Sequence, residues 1–228
     1  MEPLASKARL KELHLPSTKD FVLVEVPEMQ FVMIDGEGSP QGEQYKHAVK
    51  WLFSAIYPIK RIAKERMGRD FVEPPLEGLW WADDLNDFIT GNRDKLKWRM
   101  MIVTANWVSD EMFEQAVATT RERLGEVPDS LRLERFDEGR CVQIMHIGDY
   151  SKEAATLARR LHHEFLSRHN LVPNALHHEI YLSDPNRVAP EKMRTVLPGP
   201  CCDGPDGRRF KSVKQRSSFE HRKALRDS

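Results

Sequence analysis

"HHEIYLSDPNR", residues 177–187, repeats the plan of "LEGLWWADDLN", residues 76–86, and that correspondence decides the fold. Each stretch reads as a short strand that runs into an acidic, polar turn. Two further pairs flank it. "FVMIDGEG" (31–38) is matched by "CVQIMHIG" (141–148), and "KWRMM" (97–101) by "KMRTV" (192–196). Three similarities in one order, separated by a helix each time, predict a duplicated unit of two strands, a helix and two strands.

The elements of each copy follow from local pattern. "FVLVEV" (21–26) and "QFVMID" (30–35) read as strands joined at Pro27. Tyr45, Val49, Leu52, Phe53, Ile56, Ile59, Ile62 and Ala63 recur at three- and four-residue steps and predict a long helix, which Pro58 is expected to kink or interrupt. "EPPLEGLWWADD" (73–84) and "KWRMMIVTA" (97–105) read as strands, followed by a helix capped by Ser109 with Met112, Phe113, Ala116, Val117, Thr120 and Leu124 on one face. In the second copy the strands are "LRLERF" (131–136), "CVQIMHIGDY" (141–150), "HHEIYLSDP" (177–185) and "KMRTVLPG" (192–199). Its helix is capped by Ser151 and carries Ala154, Leu157, Ala158, Leu161 and Phe165.

One such unit has too few strands to bury both sheet and helix, so two copies should pack together. The expected class is therefore α+β, built of duplicated βαββ units with pseudo-twofold symmetry and a central ligand groove. Residues 1–19 are expected to form an N-terminal arm, 20–200 a single domain of two repeats (20–125 and 126–200), and 201–228 a basic, flexible tail.

Composition limits the function classes. The chain has 228 residues, 40% hydrophobic and 31% charged, enough for a sizeable core and unlike a disordered chain. Lysine plus arginine equals aspartate plus glutamate at 35 each, so no global charge draws it to nucleic acid or a membrane surface. The balance is uneven: from Asp203 onward eight basic residues face four acidic ones. Three cysteines, Cys141 and the adjacent Cys201 and Cys202, make no disulfide framework and fit a reducing, cytoplasmic setting. No stretch approaches the ~18 apolar residues of a membrane span. Neither "HHE" (162–164 and 177–179) has the spacing of a His-Glu-x-x-His helix, so no metal is expected. "GEG" (36–38) lacks the third glycine of a dinucleotide loop, and no cofactor is expected.

The candidate site lies on the strand of the opening quotation. Alternate strand residues share a face, so His177, Glu179, Tyr181 and Ser183 point one way. His178, Ile180 and Leu182 point the other, and that second face is expected to pack under helices. Glu179 among aromatic rings suits a planar cation; in an apolar pocket it could instead activate a water, and at a strand end it could pair with an arginine. Trp80 and Trp81 must face opposite sides, so one of them needs a use outside the core. Aligning Asp84 with Asp184 makes Tyr181 the counterpart of Trp81. Tyr45 and Tyr150 open the two long helices and could frame a groove from both sides. Glu77 becomes a second acid, parallel to Glu179, in a slipped alignment. Met33, Met101 and Met145 lie on neighbouring strands as core filling or soft pocket walls.

The segments "FVMIDGEG", "PLEGLWWADD", "CVQIMHIGDYSKE" and "HHEIYLSDPNRVAPEKMRTVL" resemble the GyrI-like small-molecule-binding family, in its stand-alone form, over roughly residues 20–198. The resemblance implies a groove between the halves that holds bulky planar hydrophobic or cationic compounds, for drug or toxin sequestration. Trp80, Trp81, Tyr45, Tyr150, Glu77, Glu179 and Tyr181 would line it. It also implies an alternative: some stand-alone members hydrolyse cyclopropane-containing DNA-alkylating compounds, which would make Glu179 and Tyr181 catalytic, Glu179 activating water. Relatives include effector domains of multidrug-sensing transcription activators and a DNA-gyrase inhibitor, so gyrase enters as an implied protein partner.

Overall fold

The computed structural model describes residues 13–71, 74–84, 87, 92–149, 160–173 and 176–203. β-Branched and long apolar residues set the strands, and proline and glycine end them. β1 (Val22–Val26) and β2 (Met29–Glu37) are separated only by Pro27 and Glu28. α1 (Glu43–Met67) follows and stops at Gly68, whose φ of 61° closes the last turn in the left-handed region. β3 (Leu76–Trp81), β4 (Lys97–Thr104) and α2 (Asp110–Leu124) complete the first half. The Ser109 side chain accepts from the Met112 N–H at 3.3 Å, as an N-cap should. The second half holds β5 (Arg132–Phe136), β6 (Gly139–Ile147), a helical segment Arg160–Leu166 wound with π spacing, β7 (Leu171–Pro173), β8 (His177–Tyr181) and β9 (Arg194–Asp203).

α1 runs through Pro58 without interruption, so of the two outcomes expected there a break does not occur. Proline lacks the N–H that would bond the Ser54 carbonyl. Thr120 of α2 supplies the donor from outside: its hydroxyl lies 3.0 Å from the Ser54 oxygen and 2.8 Å from the Ala116 oxygen in its own helix. The neighbouring helix therefore offers the open carbonyl a donor, its one hydroxyl proton being shared with Ala116.

The strands form an antiparallel sheet in the order β1-β6-β9-β8-β3-β4-β2-β5, with β7 on the end of β9. Exchanging β1 with β5, β6 with β2, β9 with β4 and β8 with β3 leaves that order unchanged, so a pseudo-twofold axis passes between β3 and β8. The two halves exchange their first strands: β1 pairs with β6 and β5 with β2.

Hydrogen-bond register fixes the correspondence between the halves. Met33 sits opposite Met101, and Met101 opposite Glu77. The matching path runs from Gln143 to Pro198 and, continuing the Ile180–Val196 register, to His178. Glu77 thus corresponds to His178, Gly78 to Glu179 and Trp80 to Tyr181. This corrects the alignment on the two aspartates, which pairs Trp81 with Tyr181, and the slipped one, which pairs Glu77 with Glu179.

Each face of the sheet has its own core. On one, Val32, Ile34, Trp80, Trp98, Met100 and Ile102 pack against α1 and α2. On the other, Val26, Met29, Phe31, Met33, Leu79, Met101, Val103 and Cys141 pack together with Leu13. In the second half Leu166 and Leu171 cover Val142 and Cys201, with Phe21, Leu161 and Phe165 beside them. Gly78, Trp80, Glu179 and Tyr181 share the α1 face, so the expectation that the His178–Ile180 side lies under the helices is reversed. The other face is covered partly by Leu13, which packs against its strand residues.

Two boundaries also move. β9 continues to Asp203, held by β7, three residues past the expected limit at 200. Leu13, in the expected arm, is only 3% exposed and belongs to the second core. Residues 1–12 and the expected tail from 204 on lie outside the described residues. No helix among the described residues is long and apolar enough to cross a membrane.

Candidate functional site

Beside the pseudo-twofold axis, on the α1 face, β3 presents Leu76, Gly78 and Trp80 opposite Tyr181, Glu179 and His177 of β8. The Trp80 indole crosses Gly78 and donates from Nε1 to the Tyr181 hydroxyl at 2.8 Å. Only glycine permits this course, because a Cβ at residue 78 would lie 2.9 Å from Trp80 Nε1 and 2.4 Å from Met100 Cε.

α1 places Tyr45 over the same ring. It stacks on Trp80 with centroids 5.9 Å apart at 23°, and meets Trp98 edge-on at 5.4 Å and 82°. Trp98 was not singled out in the sequence; it stands directly opposite Trp80 in the β3–β4 register, which puts it on the same face.

Glu179 supplies the charge. Its side chain is 14% exposed, and His177 Nε2 lies 2.9 Å from Oε1. Among the described residues no lysine or arginine pairs with it, which sets aside the arginine-pair reading. Tyr181 faces the carboxylate, and Tyr45 lies within its field. Burial first, and then the Glu179 charge, push both phenols above their ordinary range, so both stay neutral donors.

The structure thus brings together Tyr45, Trp80, Glu179 and Tyr181 and adds His177 and Trp98. It does not bring in Trp81, which faces the other side of β3, opposite Lys97 in register. Tyr150 lies outside the described residues. Glu77 is on the opposite face and 1% exposed. It belongs to a second cluster, where its Oε2 lies 3.2 Å from His178 Nε2, and Glu138 Oε1 lies 2.7 Å from His178 Nδ1. His14 Nε2 is 3.9 Å from Glu77 Oε1, beside a cavity of about 10 Å³, room for one water. Glu77 as a groove acid is therefore corrected: strand alternation turns it away from Glu179. Met33, Met101 and Met145 are fully buried and fill the core.

A wider depression of about 530 Å³ runs along α2 between Phe113, Val117 and Leu131. It contains none of these ionisable and aromatic groups. No group of three or more metal-ligating side chains is arranged for an ion among the described residues.

An acidic, aromatic-walled patch at the axis of a duplicated α+β sheet defines a small-molecule-binding domain. The chain belongs to the GyrI-like family, described as a GyrI-like small molecule binding domain, which matches residues 19–198. Among solved structures it is similar to an uncharacterized conserved protein from Listeria innocua, at 37% identity and TM-score 0.76, over 86% of this chain and 98% of that one. It is also similar to a hydrolase from Listeria innocua, at 36% identity, TM-score 0.74 and the same shares. The C-terminal domain of EcmrR shares the fold at 10% identity and TM-score 0.50, over 81% of this chain and 98% of that domain. A comparison with curated proteins finds no match.

Proposed function

We propose that the groove beside the axis captures bulky planar hydrophobic or cationic small molecules and sequesters them as drugs or toxins in the cytoplasm. One observation carries this reading: Glu179 is a mostly buried carboxylate with no lysine or arginine partner among the described residues, set beside the Tyr45–Trp80 stack. A carboxylate so placed costs desolvation energy that a ligand cation would offset. The ring faces attract the same cation and give an uncharged planar ligand a surface to stack on.

Quenching of tryptophan fluorescence by a planar aromatic cation, such as ethidium, measures the binding. E179Q keeps the shape and removes the charge. It is expected to weaken the cation about tenfold or more while a neutral planar compound of similar size binds as before. Equal affinity of E179Q and the native protein for the cation would overturn the assignment.

The second reading is hydrolysis, favoured by the 36% identical relative described as a hydrolase. Here Glu179 takes a proton from water as the water oxygen bonds to a carbon of a strained cyclopropane ring. The ring C–C bond breaks, and the released electron pair is taken up by the conjugated scaffold that the ring is attached to. Neutral Tyr181 would turn its hydroxyl proton from Glu179 to that scaffold. E179Q should then lose turnover at least a hundredfold with little change in KM. Full turnover by that variant would sink this second reading and leave the first standing.

A further inference from the structure

We propose that His177 is a positioning residue of this groove, holding the Glu179 carboxylate oriented for a ligand cation or a water. The inference rests on the reading of Glu179 given above. His177 bonds the Glu179 carboxylate with Nε2 2.9 Å from Oε1, and the Tyr181 hydroxyl is the carboxylate's other side-chain partner. An ionised carboxylate only accepts, so Nε2 carries the proton and the ring is the donor. The partners are next but one along β8, on the same face, and both are less than a third exposed.

Three features make this contact more than an incidental surface pair. Glu179 stands opposite Gly78 on β3, so no side chain from that strand holds the carboxylate. His177 stands opposite Trp80, the ring that Tyr45 stacks on, which places the imidazole at the edge of the aromatic wall. Tyr181 already accepts from Trp80, which fixes the far end of the row. A free glutamate has two soft torsions beyond χ1; one directed hydrogen bond from a half-buried ring removes much of that freedom before a ligand arrives. The oxygen lone pairs that His177 and Tyr181 leave unused are then the ones offered to the groove.

The test uses the full chain with His177→Ala, His177→Gln and Glu179→Leu. The first readout is the ratio of ethidium affinity to that of a neutral planar compound. H177A is expected to lower the ratio about fivefold to tenfold with an unchanged melting midpoint, and H177Q, whose amide can donate again, to restore most of it. A purely structural histidine would move both ligands or neither, and either result overturns the proposal.

The second readout needs no ligand. The imidazole nitrogens of His177, followed by 15N NMR, should show the Nε2–H form in the native protein and a mixture of forms in E179L. A native Nδ1–H form, or a spectrum indifferent to E179L, overturns the proposal even if the groove binds ethidium. Conversely, a groove that binds no planar compound while the NMR coupling holds sinks the functional reading and leaves the His177–Glu179 contact in place.

Discussion

His178 carries a proton inside the closed face of the sheet because two carboxylates hold it there. Burial alone would push the imidazole down; Glu138 at 2.7 Å and Glu77 at 3.2 Å outweigh burial and raise it to about 10. His14, less enclosed and farther from Glu77, is pushed down by burial and stays neutral. A group whose folded pKa is raised adds stability that is fully present below its unfolded value near 6.5 and is lost as pH climbs toward 10. The denaturant midpoint should therefore fall steadily between about pH 7 and pH 10. Glu138→Gln should flatten that slope and cost about 3 kcal/mol at neutral pH by stranding part of a buried ion pair. A slope unchanged in E138Q would show that the proton is not held by this cluster. Period-two alternation made Glu179 and Tyr181 legible as neighbours in the sequence. It could not say which face of the strand meets a helix, nor the β3–β8 register, which sets Gly78 rather than Glu77 opposite Glu179 and turns Glu77 to the other face.

At the scale of elements, local pattern located most strands and both described long helices, yet could not show that α1 continues past Pro58. A proline inside a helix is a defect only while the carbonyl it abandons has no donor, and Thr120 sits one helix away to provide it. Sequence periodicity carries no trace of a contact between residues 66 positions apart. Thr120→Val should cost about 1 kcal/mol, by leaving the Ser54 carbonyl unsatisfied in a buried interface. In a Pro58→Ala background the restored N–H serves that carbonyl, so the same T120V step should cost clearly less. Additive losses in the double-mutant cycle would refute the compensation. Gly78 is the matching case in the site. Gly78→Ala should displace the Trp80 indole and Met100, costing about 1–3 kcal/mol and most of the affinity for planar ligands. Ligand binding that survives G78A unchanged would mean that the Trp80–Tyr181 arrangement is dispensable. β7 escaped the sequence reading for a simpler reason: three residues beyond Asn170, whose φ is 51°, hold too little pattern to announce a strand.

At the scale of the molecule, the duplication was visible in matched segments, but the exchange of first strands was not. Pro27 and Glu28, or Asp137 and Glu138, would join two strands equally well whether those strands paired with each other or crossed to different partners. The exchange has a thermodynamic consequence. Each half draws one edge strand from the other, and the axial strands β3 and β8 pair directly, so neither half closes its sheet alone. Unfolding should then be one cooperative event. The five tryptophans make this measurable, because all of them, from Trp51 to Trp107, lie in the first half. Val196→Ala in β9 opens a cavity at a fully buried site in the second half, with an expected loss of about 1–3 kcal/mol. Tryptophan fluorescence, dominated by first-half residues of which only Trp80 is shown touching the second half, should register the whole of that loss, with a midpoint matching far-UV circular dichroism. If the fluorescence midpoint stayed at its native value while the dichroism midpoint fell, the halves would be independent units, and a groove built on the axis between them could not be a rigid one.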